Sequence, residues 1–245
     1  VGPLLAAVSM GWMAGQHVPA KTADGASPTE TARAIALVLG LGLPLAGALG
    51  RHFMPEGLLV GAVALAVATA SWAGQRPGLG RAVLLGGVFA AGLLVKQTFV
   101  LYAAVPVLIF GLIPLGRWSL ATALTSAAVA GPWYLGQGAA QLDYVAASVD
   151  NGQSVGVLAG LAYYPALVSW SLAGPVVCVA AVFGAMRVER GPTRRAAIGA
   201  VVWFLTSLLL LVAIPKKYPR LGAPLGLPVV LLAGLGLSRV RRPAV

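Results

Sequence analysis

Three short segments of the sequence place basic and aromatic side chains at the ends of apolar runs. They are residues 94–99 with Lys96, residues 131–135 with Trp133 and Tyr134, and residues 214–220 with Lys216, Lys217, Tyr218 and Arg220. Ionisable groups beside the hydrocarbon layer of a membrane are costly, so their presence there indicates a function. Arginine offers phosphate oxygens a planar, bidentate partner, and lysine offers a compact charge. The alternative is that these long side chains reach the phosphates of the surrounding lipids.

Few other residues suit metal or thiol chemistry. His17 and His52 lie far apart in the sequence, and neither has an acidic residue nearby at ligand spacing. Cys178 is the only cysteine, which rules out an intramolecular disulfide and a cysteine-based metal cluster. We therefore predict no cofactor, and the sequence leaves a divalent metal ion open.

The elements that carry these residues are predicted to be membrane helices. The chain is 59% hydrophobic and 9% charged, whereas a soluble domain carries about 25% charged residues. Several apolar runs approach the ~20 residues that a helix needs to cross a bilayer. Because the runs are continuous rather than alternating, they favour helices over a closed barrel. We predict an all-α polytopic membrane protein of about seven to eight transmembrane helices, in which residues 1–245 form a single domain.

The predicted spans follow the apolar runs. They cover about 32–49, 57–73, 82–95, 99–115, 118–135, 158–186, 196–214 and 221–237. Residues 1–15 are apolar but short, which predicts a truncated or interfacial helix, and Pro44 predicts a kink. The polar stretch at about 136–156, which carries Asp143 and Asp150, predicts a loop outside the membrane.

The distribution of charge orients these spans. Two arginine clusters, at 187–195 and 239–242, are separated by two spans, so the positive-inside rule places both in the cytoplasm. Counting back puts Arg76, Arg81 and Arg117 on the cytoplasmic side as well. The same count places Lys96, Lys216, Lys217, Arg220 and the loop at 136–156 outside. The net charge of +11 is spread over short clusters between apolar runs, so nucleic-acid binding is not expected.

These segments resemble the polytopic GT-C glycosyltransferases of the family 39 type, which include protein mannosyltransferases and aminoarabinose transferases. Members show a "GLLTK" helix end, a "PWY" helix end and a late "K-x-P-R-Y-x-x-P" segment. In the same order, this sequence has Lys96, then Pro132, Trp133 and Tyr134, then Lys217, Pro219, Arg220 and Pro224. Tyr163 and Tyr164 resemble an aromatic pair of the family. The resemblance is loose over about 3–238 and good over about 94–233.

The resemblance implies transfer of a sugar from a polyprenyl-phosphate donor to a glycan, lipid or protein acceptor at the outer face of a bacterial cytoplasmic membrane. Lys96, Lys217 and Arg220 would bind the donor phosphate and stabilise it as the leaving group. Five aromatic residues would contact the sugar or the lipid, or anchor helix ends at the interface. They are Trp133, Tyr134, Tyr163, Tyr164 and Tyr218.

The sequence departs from the family in its acidic residues. The family's catalytic carboxylate lies upstream of the segment that residues 2–4 resemble, so we expect this chain to be the later part of a larger enzyme. Glu56 is the best remaining candidate for the base that activates an acceptor. Counting spans places it outside at the start of a helix. The alternative is that residues 50–53 resemble the family's basic cytoplasmic turn, which requires a family helix to be missing between about Ser71 and Arg81. The sequence favours this cytoplasmic interpretation, in which the helix dipole stabilises Glu56. Leu221 is a further departure, because the family usually has tyrosine there.

Two other classes of protein remain in view. A non-catalytic membrane scaffold would also use glycine-rich helices that pack closely, such as the run with Gly40, Gly42 and Gly47. A transporter or permease would carry ionisable residues in mid-helix and inverted repeats. The acidic residues instead lie in predicted loops or at helix ends, which counts against transport.

Overall fold

The computed structural model describes residues 2–18, 28–41, 55–150, 157–169, 174–187, 192–214 and 219–238, and the described residues contain no strand. The helices are α1 Gly2–Gln16, α2 Pro28–Leu41, α3 Pro55–Gln75, α4 Leu79–Val95, α5 Phe99–Val107, α6 Ser119–Asp150, α7 Val157–Leu167, α8 Gly174–Arg187, α9 Pro192–Ala213 and α10 Gly226–Leu237. Helix α5 continues through a π-helical turn, Leu108–Leu112, and a last turn, Ile113–Leu115. A 3-10 helix, Pro219–Leu225, precedes α10. The predicted all-α class is confirmed.

Several helices have the length and apolar character of membrane spans. Glu56–Gln75, Phe99–Gly138 and Thr193–Ala213 are long enough to cross a bilayer, and Leu79–Val95 and Leu221–Leu237 are shorter apolar helices. The second stretch, Phe99–Gly138, contains a chain reversal at Gly116. Its φ is 57°, a value that glycine adopts at little cost. The stretch therefore makes two passes, α5 and α6. The protein is an integral membrane protein.

The helices define two ends of the bundle. We call the level at which α4 ends and α5 begins the Lys96 end, and the level of the reversal between α5 and α6 the Arg117 end. Helices α1 and α3 run in the same direction, because Gly2 packs on Gly57 at one end and Gln16 bonds to Ser71 at the other. Both helices start at the Lys96 end.

Helices α4 and α6 run together in the opposite direction. The Thr122 hydroxyl donates to the carbonyl of Ala82 at 3.0 Å, and the Tyr134 hydroxyl donates to the carbonyl of Leu93 at 2.9 Å. These two bonds span most of α4. In apolar surroundings a hydroxyl must find an acceptor, and backbone carbonyls supply it.

Small residues bring the helices close together. A Cβ atom on Gly86 would lie 2.6 Å from the carbonyl oxygen of Thr122, and one on Gly61 would lie 2.7 Å from that of Gly2. Larger side chains at these crossings would separate the helix pairs. Close approach through glycine is a common way for membrane helices to associate without a hydrophobic driving force.

Two predicted elements differ from the structure. The helix predicted to end at Leu135 continues to Asp150, because no proline or glycine interrupts 139–150. The single span predicted over 158–186 is divided into α7 and α8, with Gly174 and Pro175 at the start of the latter. Residues 2–16 form a helix of 15 residues that packs on α2 and α3 and is largely buried. Pro44 lies outside the described residues.

Candidate functional site at the Lys96 end

The centre of the Lys96 end is an ion pair between α3 and the end of α4. The Lys96 ammonium lies 2.7 Å from Glu56 Oε1. The Glu56 side chain is 3% exposed, whereas that of Lys96 is 28% exposed. The buried partner is therefore the anion, and the cation retains a route to the surface.

Local structure explains why each charge is tolerated. Glu56 lies in the first turn of α3, which begins at Pro55, a favoured residue at a helix start. Lys96 is the C-cap of α4. A helix dipole stabilises an anion at the N-terminus and a cation at the C-terminus, so both charges complement their own helices.

A turn of three residues, 96–98, connects α4 to α5. The Lys96 backbone is extended, its N–H donates to Gly92, and its carbonyl accepts from the N–H of Phe99 at 2.9 Å. Thr98 Oγ1 in this turn is buried and has no hydrogen-bond partner among the described residues. The turn thus presents an ammonium group and a hydroxyl oxygen from positions two residues apart.

A buried tyrosine lies at this end of the bundle. Tyr102, one turn into α5, is 1% exposed and donates a 2.7 Å hydrogen bond to the carbonyl of Leu221. Tyr102 therefore joins α5 to the 3-10 helix.

The two aromatic pairs predicted from the sequence lie in different environments. Trp133 is 40% exposed and meets Tyr134 edge to face, with 4.9 Å between ring centroids. Tyr134 bonds to Leu93, three residues before Lys96, so this pair belongs to the Lys96 end. Tyr164 is fully buried and meets Tyr163 edge to face at 5.1 Å.

The late basic segment is described only in part. Lys216, Lys217 and Tyr218 lie outside the described residues. Arg220 is described by its backbone, within the 3-10 helix that also carries Leu221. Because Leu221 bonds to Tyr102, the Arg220 backbone lies at the Lys96 end.

The structure corrects the preferred placement of Glu56. The cytoplasmic interpretation required Glu56 and Lys96 to lie at opposite ends of the bundle, but the two side chains are in contact. It also required a helix of the family to be missing between about Ser71 and Arg81, and α3 does lead to α4 through the short connection 76–78, so the ion pair alone decides against it. Glu56 therefore faces the same end as Lys96. Tyr102 is a further member of the site that was not predicted from the sequence. Its hydroxyl lies inside an apolar run, and a buried tyrosine hydroxyl usually finds a hydrogen-bond partner.

The side chains of Asp143 and Asp150 lie outside the described part of the structure. Both residues are on the last stretch of α6, 141–150, where only the backbone is described. Among the described residues, no group of three or more His, Cys, Asp or Glu side chains is placed to hold a metal ion. His17 lies at the Arg117 end, where its ring bonds to Ser71 at 2.8 Å.

Comparison with known proteins defines the fold. No family model matches the chain, and neither does any curated protein. The crystal structure of ArnT from Cupriavidus metallidurans bound to undecaprenyl phosphate is similar with a TM-score of 0.68 and 17% identity, covering 98% of this chain and 45% of ArnT. The apo structure of the same ArnT gives 0.69 and 17%, covering 98% and 44%. The protein thus has a fold similar to that of ArnT and spans less than half the length of that chain.

Proposed function

We propose that this protein is a membrane glycosyltransferase, or part of one, that binds a polyprenyl-phosphate-linked sugar and transfers the sugar at the outer face of a bacterial cytoplasmic membrane. The observation that carries the proposal is the Glu56–Lys96 ion pair, in which the Glu56 carboxylate is buried at the start of α3. A carboxylate provides a base for the acceptor, and an ammonium group provides a cation for the departing phosphate.

The donor phosphate is assigned to the basic residues of the Lys96 end. Lys96 provides a partly exposed ammonium group, and Thr98 provides a buried hydroxyl in the same turn. Arg220 and Lys217 belong to the segment whose 3-10 helix is bonded to Tyr102. Cations at this level neutralise the phosphate as it departs, and such electrostatic stabilisation is commonly the largest contribution to catalysis.

Glu56 is assigned as the base that accepts a proton from the acceptor. A general base contributes about 10²–10⁴-fold to the rate when it is positioned at the reacting group. The position of Glu56 is fixed by the first turn of α3 and by Lys96. Trp133, Tyr134, Tyr163, Tyr164 and Tyr218 are assigned to contacts with the sugar or the lipid chain.

The alternatives fit these observations less well. A permease needs ionisable groups along its transport path in the middle of the bilayer, whereas the Glu56–Lys96 pair joins the start of α3 to the end of α4. A passive scaffold has no need for a buried ion pair, because replacing such a pair by apolar residues is often neutral or stabilising.

Lipid binding by the purified chain tests the proposal. The chain is reconstituted in phosphatidylcholine nanodiscs and titrated with undecaprenyl phosphate, with undecaprenol as the matched lipid that lacks the phosphate. We expect preferential binding of undecaprenyl phosphate, weakened at least about tenfold by Lys96→Gln, as for loss of a charge-assisted bond. Equal affinity for the two lipids would contradict the proposed function.

A further inference from the structure

The Lys96 ammonium already has an anionic partner before any donor arrives. Glu56 lies 2.7 Å from it, a distance typical of a charge-assisted hydrogen bond. A phosphate group that approaches Lys96 therefore meets a neutral pair rather than a free cation. The Glu56 carboxylate and the phosphate therefore compete for the same ammonium group.

The exposures of the two side chains indicate which partner can move. Glu56 is held in the first turn of α3 and is 3% exposed, whereas Lys96 is 28% exposed and carries its charge on a flexible four-carbon stem. The ammonium group can swing toward the surface, but the carboxylate cannot follow it without leaving its helix end. Lys96 is therefore the residue of the pair that can move to another partner.

We propose that Lys96 exchanges partners during the reaction, leaving Glu56 when a donor phosphate binds. This inference rests on the proposed function and adds a regulatory step to it. In the free protein Glu56 is held as an ion pair and is a poor base. Donor binding draws Lys96 to the phosphate and ends its ion pair with Glu56, which then accepts the proton, so the base is active only when a donor is present.

The charges balance through the transfer. The acceptor hydroxyl or amine forms a bond to the anomeric carbon of the sugar and gives its proton to Glu56. The bond between the anomeric carbon and the phosphate oxygen breaks, and the phosphate keeps the electron pair. The phosphate gains one negative charge as the Glu56 carboxylate loses one, and Lys96 lies beside the group that has become more negative. No oxidant, reductant or further reactant is required.

If Lys96 exchanges partners, substitutions of Glu56 and of Lys96 should have opposite effects on the affinity for undecaprenyl phosphate. Glu56→Gln removes the competitor and should tighten undecaprenyl phosphate binding about tenfold, the effect expected when a charged hydrogen bond no longer has to be broken. Lys96→Gln should weaken binding. The double variant should bind like Lys96→Gln alone, because Glu56 acts on the lipid only through Lys96.

The experiment uses the full chain in phosphatidylcholine nanodiscs, with undecaprenyl phosphate as the probe and undecaprenol as the matched control. Tighter binding by Glu56→Gln supports the exchange, and unchanged or weaker binding by a folded Glu56→Gln overturns it. Glu56→Met, of similar volume and without a polar atom, is predicted to bind more tightly as well and is used if Glu56→Gln does not fold. If the wild type does not distinguish the two lipids, the proposed function fails. If it does and neither Glu56 variant binds more tightly, only the exchange fails.

Discussion

The hydroxyl group of Tyr102 donates a 2.7 Å hydrogen bond to the carbonyl oxygen of Leu221, 119 positions later in the chain. This bond joins α5, which begins just after Lys96, to the 3-10 helix that includes Arg220. The bond therefore holds together the helix that follows Lys96 and the 3-10 helix that includes Arg220, two residues that were predicted to bind one phosphate. We predict that Tyr102 is a positioning residue, because its hydroxyl contacts protein backbone.

Replacing Tyr102 with phenylalanine should lower the affinity for undecaprenyl phosphate, while the loss of protein stability stays small. The ring remains in place, while the 3-10 helix loses a buried hydrogen bond of about 1 kcal/mol. We expect undecaprenyl phosphate affinity in nanodiscs to fall about fivefold, since the 3-10 helix that includes Arg220 is held less firmly at the Lys96 end.

Thr122→Val is the matched control for this substitution. It also removes a hydroxyl that bonds to a backbone carbonyl, at 3.0 Å, but between α4 and α6 near the Arg117 end. It should lower the melting temperature to a similar extent without changing lipid affinity. If the two variants lose affinity equally, Tyr102 has no specific positioning role.

Two adjacent glycines in α4 test the packing of α4 on α6. A Cβ atom on Gly86 would lie 2.6 Å from the Thr122 carbonyl oxygen and 2.7 Å from Thr125 Cβ, whereas one on Gly87 meets nothing within 4 Å. Gly86→Ala should therefore destabilise the protein by about 1–3 kcal/mol, as for an overpacked core. Gly87→Ala should leave the melting temperature in detergent unchanged or slightly raised, because alanine is the better helix former. Similar melting temperatures for both variants would contradict the close approach.

The helices were predictable because apolar composition and length alone determine where a chain can cross a bilayer. The runs at 57–73, 82–95 and 99–115 each correspond to a helix in the structure, and only the ends differ. Helix ends depend on local residues that the apolar average does not register, such as Pro55 at the start of α3.

The pairing of Glu56 with Lys96 was harder to predict. The two residues are 40 positions apart, and their contact depends on how many times the chain crosses the bilayer between them. Counting spans places Glu56 outside the membrane, on the side of Lys96. A family-like basic turn at 50–53 places it on the cytoplasmic side instead. Composition cannot decide between them, because a carboxylate at a helix start is stabilised by the dipole on either side of a membrane.

The stability of the Arg117 end should depend on pH through His17. Burial lowers the pKa of this imidazole to about 4, from an ordinary value near 6.5. Between these two values the unfolded chain binds more protons than the folded protein, so stability falls as the pH drops from about 6.5 toward 4. Above about pH 6.5, His17 should contribute no pH dependence.

A variant of His17 isolates this contribution. The melting temperature of the wild type in detergent should be lower at pH 5 than at pH 7.5. His17→Gln keeps a polar group beside Ser71, which bonds to the native ring at 2.8 Å, but it cannot be protonated. The variant should lose much of the difference between the two pH values, and an equal decrease in both proteins would assign the effect to other groups.

The orientation of the bundle can be tested with single cysteines. Gln137 and Arg117 are both exposed, and they lie beyond the Tyr134 level of α6 and at the opposite end, respectively. In a background of Cys178→Ser, Gln137→Cys should react in intact cells with a maleimide that cannot cross the membrane. Arg117→Cys should react only after the membrane is opened, because the positive-inside rule places Arg117 in the cytoplasm. The reverse pattern of labelling would place Glu56 and Lys96 on the cytoplasmic side and would exclude sugar transfer at the outer face.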